Sequence, residues 1–296
     1  GETATRPGLL SVGARKFECC LAKILSFLGY IVHVVMKVDE PVALNLGVLL
    51  PYDELEDRKL LGQWLNKTVG SFDFNGLPTH NIKLEYIDIK PEGYGIYRAY
   101  QPERILIVGH SDSSWLCFTR DLVDTKHSKT MPETGMHDFL RSLNFPISYE
   151  LRAAQCIAMA GEQLNRERLL PLTQTRSDVE VQHLRHAIQE ARSQYWADRA
   201  QQFASLDIGS VNQVFVSGGT AFYFASELNE LFKQLFGVRL NWGRELMKEF
   251  VERFSLRKGR DIPYRFADCY GYFRSLPGVT QYAAKSVEVV GGRHDG

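Results

Sequence analysis

The stretch Val214–Phe232, VFVSGGTAFYFASELNELF, constrains the fold more than any other. It opens on a short apolar run, passes through Ser217-Gly218-Gly219-Thr220, and continues at helical spacing with Phe222, Leu228, Leu231, Phe232 and Leu235 on one face. A short apolar run without polar alternation suits a strand covered on both sides. Gln213–Val216 is therefore predicted as a buried strand and Ala221–Phe236 as the helix that follows it. Two residues without a Cβ let another molecule approach the turn between them, and the amides at a helix start favour an anion. That geometry suits a nucleotide. A tight turn with no ligand uses the same residues, so spacing alone leaves both readings open.

A second unit has a similar design. Arg104–Val108 (RILIV) is apolar and reads as a central strand, Gly109–Ser114 (GHSDSS) as a tight polar turn, and Trp115–Thr119 as the returning strand. Small and hydroxyl residues in such a turn can wrap a phosphate with backbone N–H groups. Asp112 can reach a Mg²⁺ ion through water, the way hard cations on phosphates are often held. His110 is either a phosphate contact or a turn residue. A plain hairpin turn explains Gly, Asp and Ser equally well.

Around these units the chain alternates helices and strands. Residues 14–28 read as a helix ended by Gly29, Val42–Leu50 as a buried strand, and Asp53–Asn66 as a helix. Ser71–Phe74 and Ile82–Lys90 are strand candidates, with a turn at Asn75-Gly76 and a loop from Pro91 to Gly93. Residues 135–165 are mostly helical, 179–206 form a long polar helix expected on the outer surface, and 243–254 form another helix. The Gly-rich tail 291–296 reads as frayed. Helices following strands argue an α/β class, and 296 residues suggest about two domains.

Composition excludes several functions. Lys+Arg and Asp+Glu are 35 each, so no excess of basic charge exists to grip nucleic acid directly. The apolar stretches near Leu21–Val38 and Val42–Leu50 are interrupted by Lys23, Gly29, His33 and Asn45, so no transmembrane segment is expected. The first residues, GETATRPG, precede no secretory apolar region. Five cysteines without a C-x-x-C pair read as reduced thiols, which suits a cytoplasmic protein.

At the two turns the chain resembles the actin-like ATPase superfamily. Val216-Ser217-Gly218-Gly219-Thr220 resembles its adenosine motif, and Ile105–Trp115 stands where its second phosphate hairpin belongs. Gly135–Leu140 resembles the segment after that hairpin. Leu49-Leu50-Pro51-Tyr52 with Glu54 and Arg58, and Pro91–Gly95, resemble the ParM branch; Arg265, Asp268, Tyr270 and Gly271 resemble its closing helix. The order holds across 14–276.

The resemblance implies an actin-like (ribonuclease H-like) two-domain α/β fold with a nucleotide cleft. Residues 1–103 would be the remainder of domain I and 104–255 domain II, with a helical subdomain at about 150–206. Residues 256–296 would be a C-terminal helix returning to domain I and a tail. It implies binding of ATP (or GTP) with Mg²⁺ by Gly109, His110, Ser111, Asp112, Ser113, Ser114, Ser217, Gly218, Gly219 and Thr220. It also implies ATP hydrolysis, self-association into cytoplasmic cytoskeletal filaments, and plasmid segregation or cell organisation through a DNA-binding adaptor. Two departures bear on this. Nothing before Ala14 resembles the first phosphate loop, D-x-G-x-x-x-[TK], so that loop is expected to be missing from this chain. Asp207-Ile208-Gly209, the only D-x-G, has no strand before it. In the hairpin, Ile107 stands where the superfamily carries a metal-shell Asp. Backbone amides still hold phosphate without it, so hydrolysis suffers more than binding. The alternative is a degenerate, non-polymerising nucleotide-binding regulator or scaffold. A small-molecule kinase of the same fold ranks lower, because no sugar-binding signature is present.

Other candidates carry less. His183 and His186 lie three apart on a polar helix without a third metal ligand. Asp53, Glu54, Glu56 and Asp57 read as a solvated, acidic helix start. The four tryptophans read as packing, the mixed charges of 179–205 as an exposed face, and Ser217 stands outside any G-x-S-x-G elbow.

Overall fold

The computed structural model describes residues 16–256 and 262–277. Residues 14–15 of the first predicted helix and the tail 291–296 lie outside them. Contacts divide the chain into two compact units, 1–94 with 272–296 and 95–271. The domain boundaries expected after 103 and 255 both fall inside the second unit. Within that unit, residues far apart in sequence come together. The Ile96 amide donates to the buried Asp268 carboxylate at 3.1 Å, and a Cβ on Gly271 would come within 2.4 Å of the Gly95 carbonyl oxygen.

In the first unit, helix α1 (Lys16–Tyr30) buries Phe17 and Leu28. Its start is held by Glu54, whose two carboxylate oxygens accept the Lys16 and Phe17 amides at 2.6 Å each. Glu54 is therefore a buried helix cap, not part of a solvated acidic run. Gly29 does not end the helix. The chain continues through a π-helical turn, Ile31–Met36, and stops at Lys37 in the left-handed region. Gly29 serves packing instead, because the Phe74 ring lies 2.4 Å from where its Cβ would be. This corrects the expectation that no segment is long and apolar enough to span a membrane. Lys16–Met36 is 21 residues long and passes that test by length and composition. Phe27, Tyr30, Val34, Val35 and Met36 are exposed on it.

Strand β1 (Val42–Leu50) leads through a 3-10 turn, Tyr52–Asp57, into α2 (Arg58–Thr68). Strands β2 (Phe72–Phe74) and β3 (Leu77–Thr79) form a hairpin on Asn75 and Gly76, whose φ values are 54° and 80°. The turn is thus a two-residue hairpin loop, shorter than the sequence suggested, because a strand containing Pro78 follows it directly. Strand β4 (Ile82–Pro91) pairs in parallel with β1. The core joins Phe17, Leu28 and Val32 to Val48, Leu50, Leu61, Leu65, Val69 and Ile82.

Past a short helix, α3 (Tyr94–Tyr100), the second unit is built on a six-stranded mixed sheet. Its strands are β5 (Arg104–Val108), β6 (Ser113–Thr119), β7 (Leu122–Val123), β8 (Lys129–Met131), β9 (Gln213–Ser217) and β10 (Arg239–Asn241). The order is β10-β9-β5-β6-β7, with β8 also on β6. Between β8 and β9 run α4 (Met136–Arg141), α5 (Glu150–Ala160), α6 (Arg166–Leu169) and α7 (Asp178–Ala204). Helix α7 is not confined to the outer surface. It buries Val181, Leu184, Ala187, Ile188, Ala191, Tyr195 and Phe203 in the core. Those residues follow helical spacing, so a narrow apolar stripe is hidden in a polar average. After β9 the predicted single helix is two, α8 (Gly219–Tyr223) and α9 (Ala225–Phe236), broken at Phe224. Phe224 turns inward to stack on Tyr195 at 4.8 Å and Trp196 at 6.0 Å between ring centres. Leu228 and Phe232 are buried, while Phe222 and Leu235 of the predicted apolar face are exposed. Helices α10 (Arg244–Arg253) and α11 (Ile262–Ser275) complete the described chain.

Candidate functional site

Strands β5 and β9 are parallel neighbours, with Ile107 opposite Ser217. The chain leaves β5 toward β6 on one side, and β9 leads to β10 on the other. The carboxyl ends of two such strands form a switch point, where α/β sheets open a crevice for ligands. Both turns singled out in the sequence lie at this point. The Thr220 hydroxyl donates to the Gly109 carbonyl at 2.5 Å and ties one turn to the other.

The two glycines do different work. Gly218 has φ 107° and ψ 149°, a region reserved for glycine. A Cβ there would come within 2.1 Å of the Val108 carbonyl oxygen. The fold itself therefore demands this glycine. At Gly219 the nearest atom to a Cβ is the Arg265 side-chain stem at 3.5 Å, an ordinary contact. Neither strain nor packing among the described residues requires a glycine at Gly219. Beside it, the Phe222 and Tyr264 rings stack 3.8 Å apart. The helix start expected to favour an anion belongs to α8, which is only five residues long.

On the other side the loop proper is Gly109–Asp112, closed by the Gly109 amide donating to the Asp112 carbonyl at 2.9 Å. Ser113 and Ser114 are strand residues, buried and paired with Val108 and Ile107. They sit outside the turn that was to wrap a phosphate, because the returning strand starts two residues earlier than the sequence suggested. Ser111 and Asp112 are exposed at the tip. The Asp112 carboxylate accepts the Glu133 amide at 3.2 Å. Ile107, where the resemblance implies an Asp, is buried, with Ser114 and Ser217 opposite it on the neighbouring strands.

His110 points to a carboxylate. Its Nε2 lies 2.6 Å from Glu150 Oε1, and His137 Nδ1 lies 2.8 Å from the same oxygen. An ionised carboxylate only accepts, so each ring presents N–H to it. Burial pushes the Glu150 carboxyl up, but the hydrogen bonds from His137 and His110 outweigh it and hold the group below its usual range. His137 and Glu150 were not singled out in the sequence. They stand 13 residues apart in different helices, and no spacing signal connects them with His110. The backbone makes the meeting: the His137 amide donates to the His110 carbonyl at 2.8 Å, and the Gly135 amide to the Ser111 carbonyl at 3.0 Å. His183 and His186 are exposed, and His186 faces Glu190 at 3.2 Å.

No protein-family model and no curated protein matches the chain. Solved structures do. Bacillus thuringiensis ParM with AMPPNP aligns over 86% of this chain and 72% of its own, at 12% identity and a TM-score of 0.53. The psk41 ParM protein in its apo form aligns over 93% of this chain and 75% of its own, at 12% identity and a TM-score of 0.51. The chain has an actin-like, ParM-type fold.

Proposed function

We propose that this actin-fold chain is a bacterial cytoskeletal protein of the ParM type, which binds ATP (or GTP) with Mg²⁺ and assembles into cytoplasmic filaments that segregate plasmid DNA or organise the cell. The observation that carries the reading is the junction of the two turns. The Thr220–Gly109 hydrogen bond ties the polar loop Gly109–Asp112 to the Gly-Gly turn at the carboxyl ends of β5 and β9. A neighbour of the same fold was solved with AMPPNP, a nucleotide analogue, which supports a nucleotide as the ligand class.

In this reading Ser217–Thr220 take the base and sugar, and the backbone of Gly109–Asp112 takes the phosphates. The donor set fits a magnesium nucleotide: Asp112 is exposed at the loop tip, where it holds the ion's water shell. Magnesium supplies charge neutralisation on the phosphates. Bound nucleotide favours the assembling conformation by differential affinity, a population shift. DNA is reached through an adaptor, since the chain carries no net charge. Sedimentation with and without ATP-Mg²⁺ tests the filament reading. Nucleotide-dependent pelleting is expected, and no pelleting in ATP or GTP refutes it.

A second reading is favoured by Ile107. An apolar, buried residue there deprives the hairpin of a metal-shell carboxylate and suits a nucleotide-binding regulator that neither hydrolyses nor polymerises. Electron microscopy separates the two, with filaments expected only from the first.

A further inference from the structure

We infer that His110, His137 and Glu150 form a binding site for a transition-metal dication such as Zn²⁺ or Co²⁺, distinct from any Mg²⁺ carried by a nucleotide. The three donor atoms, His110 Nε2, His137 Nδ1 and Glu150 Oε1, all lie within 4.8 Å of one another. Two of the separations are 2.6 and 2.8 Å. A tetrahedral ion with bonds of about 2.1 Å needs its ligands roughly 3.4 Å apart, so small side-chain rotations admit it. Two imidazoles and one carboxylate are a three-ligand set that zinc sites use with water in the fourth position.

The chemistry selects the metal. Two of three donors are nitrogen, which suits zinc, cobalt and nickel and disfavours Mg²⁺, a hard ion that prefers oxygen and keeps its water. The charge of two neutral rings and one carboxylate complements a dication. On binding, each ring gives its lone pair to the ion and carries its proton on the other nitrogen. Side-chain exposures of 30% for His110, 17% for His137 and 23% for Glu150 leave a path for the ion and room for a water ligand.

The site is preorganised by backbone, not by the metal. Gly135 permits it: a Cβ there would meet the His110 carbonyl oxygen at 2.1 Å and the Ser111 carbonyl carbon at 2.6 Å. Glu150 is fixed as the first residue of α5, an eleven-residue helix. Loop, short helix and long helix each deliver one ligand. The free cysteines are not part of the cluster.

The inference does not rest on the nucleotide reading, and its test contains no nucleotide. Metal-free full-length chain is titrated with Co²⁺ and followed by visible absorption. One Co²⁺ per chain is expected, displaced by one equivalent of Zn²⁺ and unaffected by a hundredfold excess of Mg²⁺. Glu150→Gln and His137→Gln should each weaken binding more than about tenfold. For the unaltered chain, Zn²⁺ should protect His110 and His137 from diethylpyrocarbonate, mapped by mass spectrometry, which needs no variant to fold. Absence of a stoichiometric site overturns the inference. So does a cobalt–thiolate charge-transfer band, which would move the site to cysteine, or unchanged modification of both histidines.

Discussion

Substituting the paired glycines one at a time separates what the fold needs from what a ligand needs. At Gly218, alanine meets two penalties. Its φ of 107° costs about 1–3 kcal/mol for any residue with a Cβ. The Cβ would also stand 2.1 Å from the Val108 carbonyl oxygen and 2.8 Å from its carbon. Those are backbone atoms of a central strand, so β5 and β9 must part where Ile107 faces Ser217. Gly218→Ala should therefore lose at least about 3 kcal/mol. With a urea slope of about 1–3 kcal/mol per molar, the midpoint falls by roughly 1 M or more. At Gly219 the nearest neighbour is 3.5 Å away and α8 begins there. Gly219→Ala should be neutral or stabilising by up to about 1 kcal/mol. The added methyl enters the proposed ligand space, so ATP-Mg²⁺ affinity should fall about 10- to 100-fold, from an overpacking cost of about 1–3 kcal/mol. Urea unfolding and calorimetric titration read the two effects. A Gly219→Ala chain that binds nucleotide like the unaltered chain refutes the ligand argument. A Gly218→Ala chain of full stability refutes the strand-junction geometry.

Three further predictions follow from buried polar groups. Glu54→Ala frees two amides at the start of α1 and should cost about 1–3 kcal/mol, seen as a lower melting temperature; an unchanged melt contradicts the cap. Arg192 donates to Glu227 at 2.8 Å and to the Tyr223 carbonyl at 3.1 Å. Arg192→Met leaves the Glu227 carboxylate half-buried and unpaired and should cost about 3 kcal/mol, with most of it recovered when Glu227→Met is added; a double variant no better than the single one contradicts this. Burial, opposed by Arg192, pushes the Tyr223 hydroxyl from 10.0 up to about 12. The folded state then holds a proton that the unfolded state releases, so stability is full below pH 10 and falls as pH rises through 12. Tyr223→Phe should flatten that alkaline loss. Equal alkaline slopes for both chains would refute the assignment.

The parts legible in the sequence were those written in one local stretch. Arg104–Val108 and Val42–Leu50 are strands over the ranges read from their apolar runs, but only the first is buried along most of its length; in the second, expected to be buried, Ala43 and Asn45 are exposed and only Val48 and Leu50 are buried. Asn75-Gly76 announced its turn through positive φ. Other features depend on partners distant in sequence. Gly29 resembles a helix stop, and only the Phe74 ring against it shows that this glycine serves packing. Glu54 resembles a solvated acid until the amides of Lys16 and Phe17 come to it across 37 or 38 residues. The break at Phe224 is set by stacking on Tyr195 and Trp196, which no local propensity encodes. At the candidate site, the two turns were legible as motifs and their contact was not, since strand pairing over more than a hundred residues creates it. The His110–His137–Glu150 cluster had no signal at all, being assembled from a loop and two helices.

The central claim is that one nucleotide touches both turns at once. Amide hydrogen exchange of the full chain, with and without saturating ATP-Mg²⁺, addresses it at residue level. The account predicts new protection in both 109–112 and 217–220. Protection in neither segment, or in one alone, would contradict it.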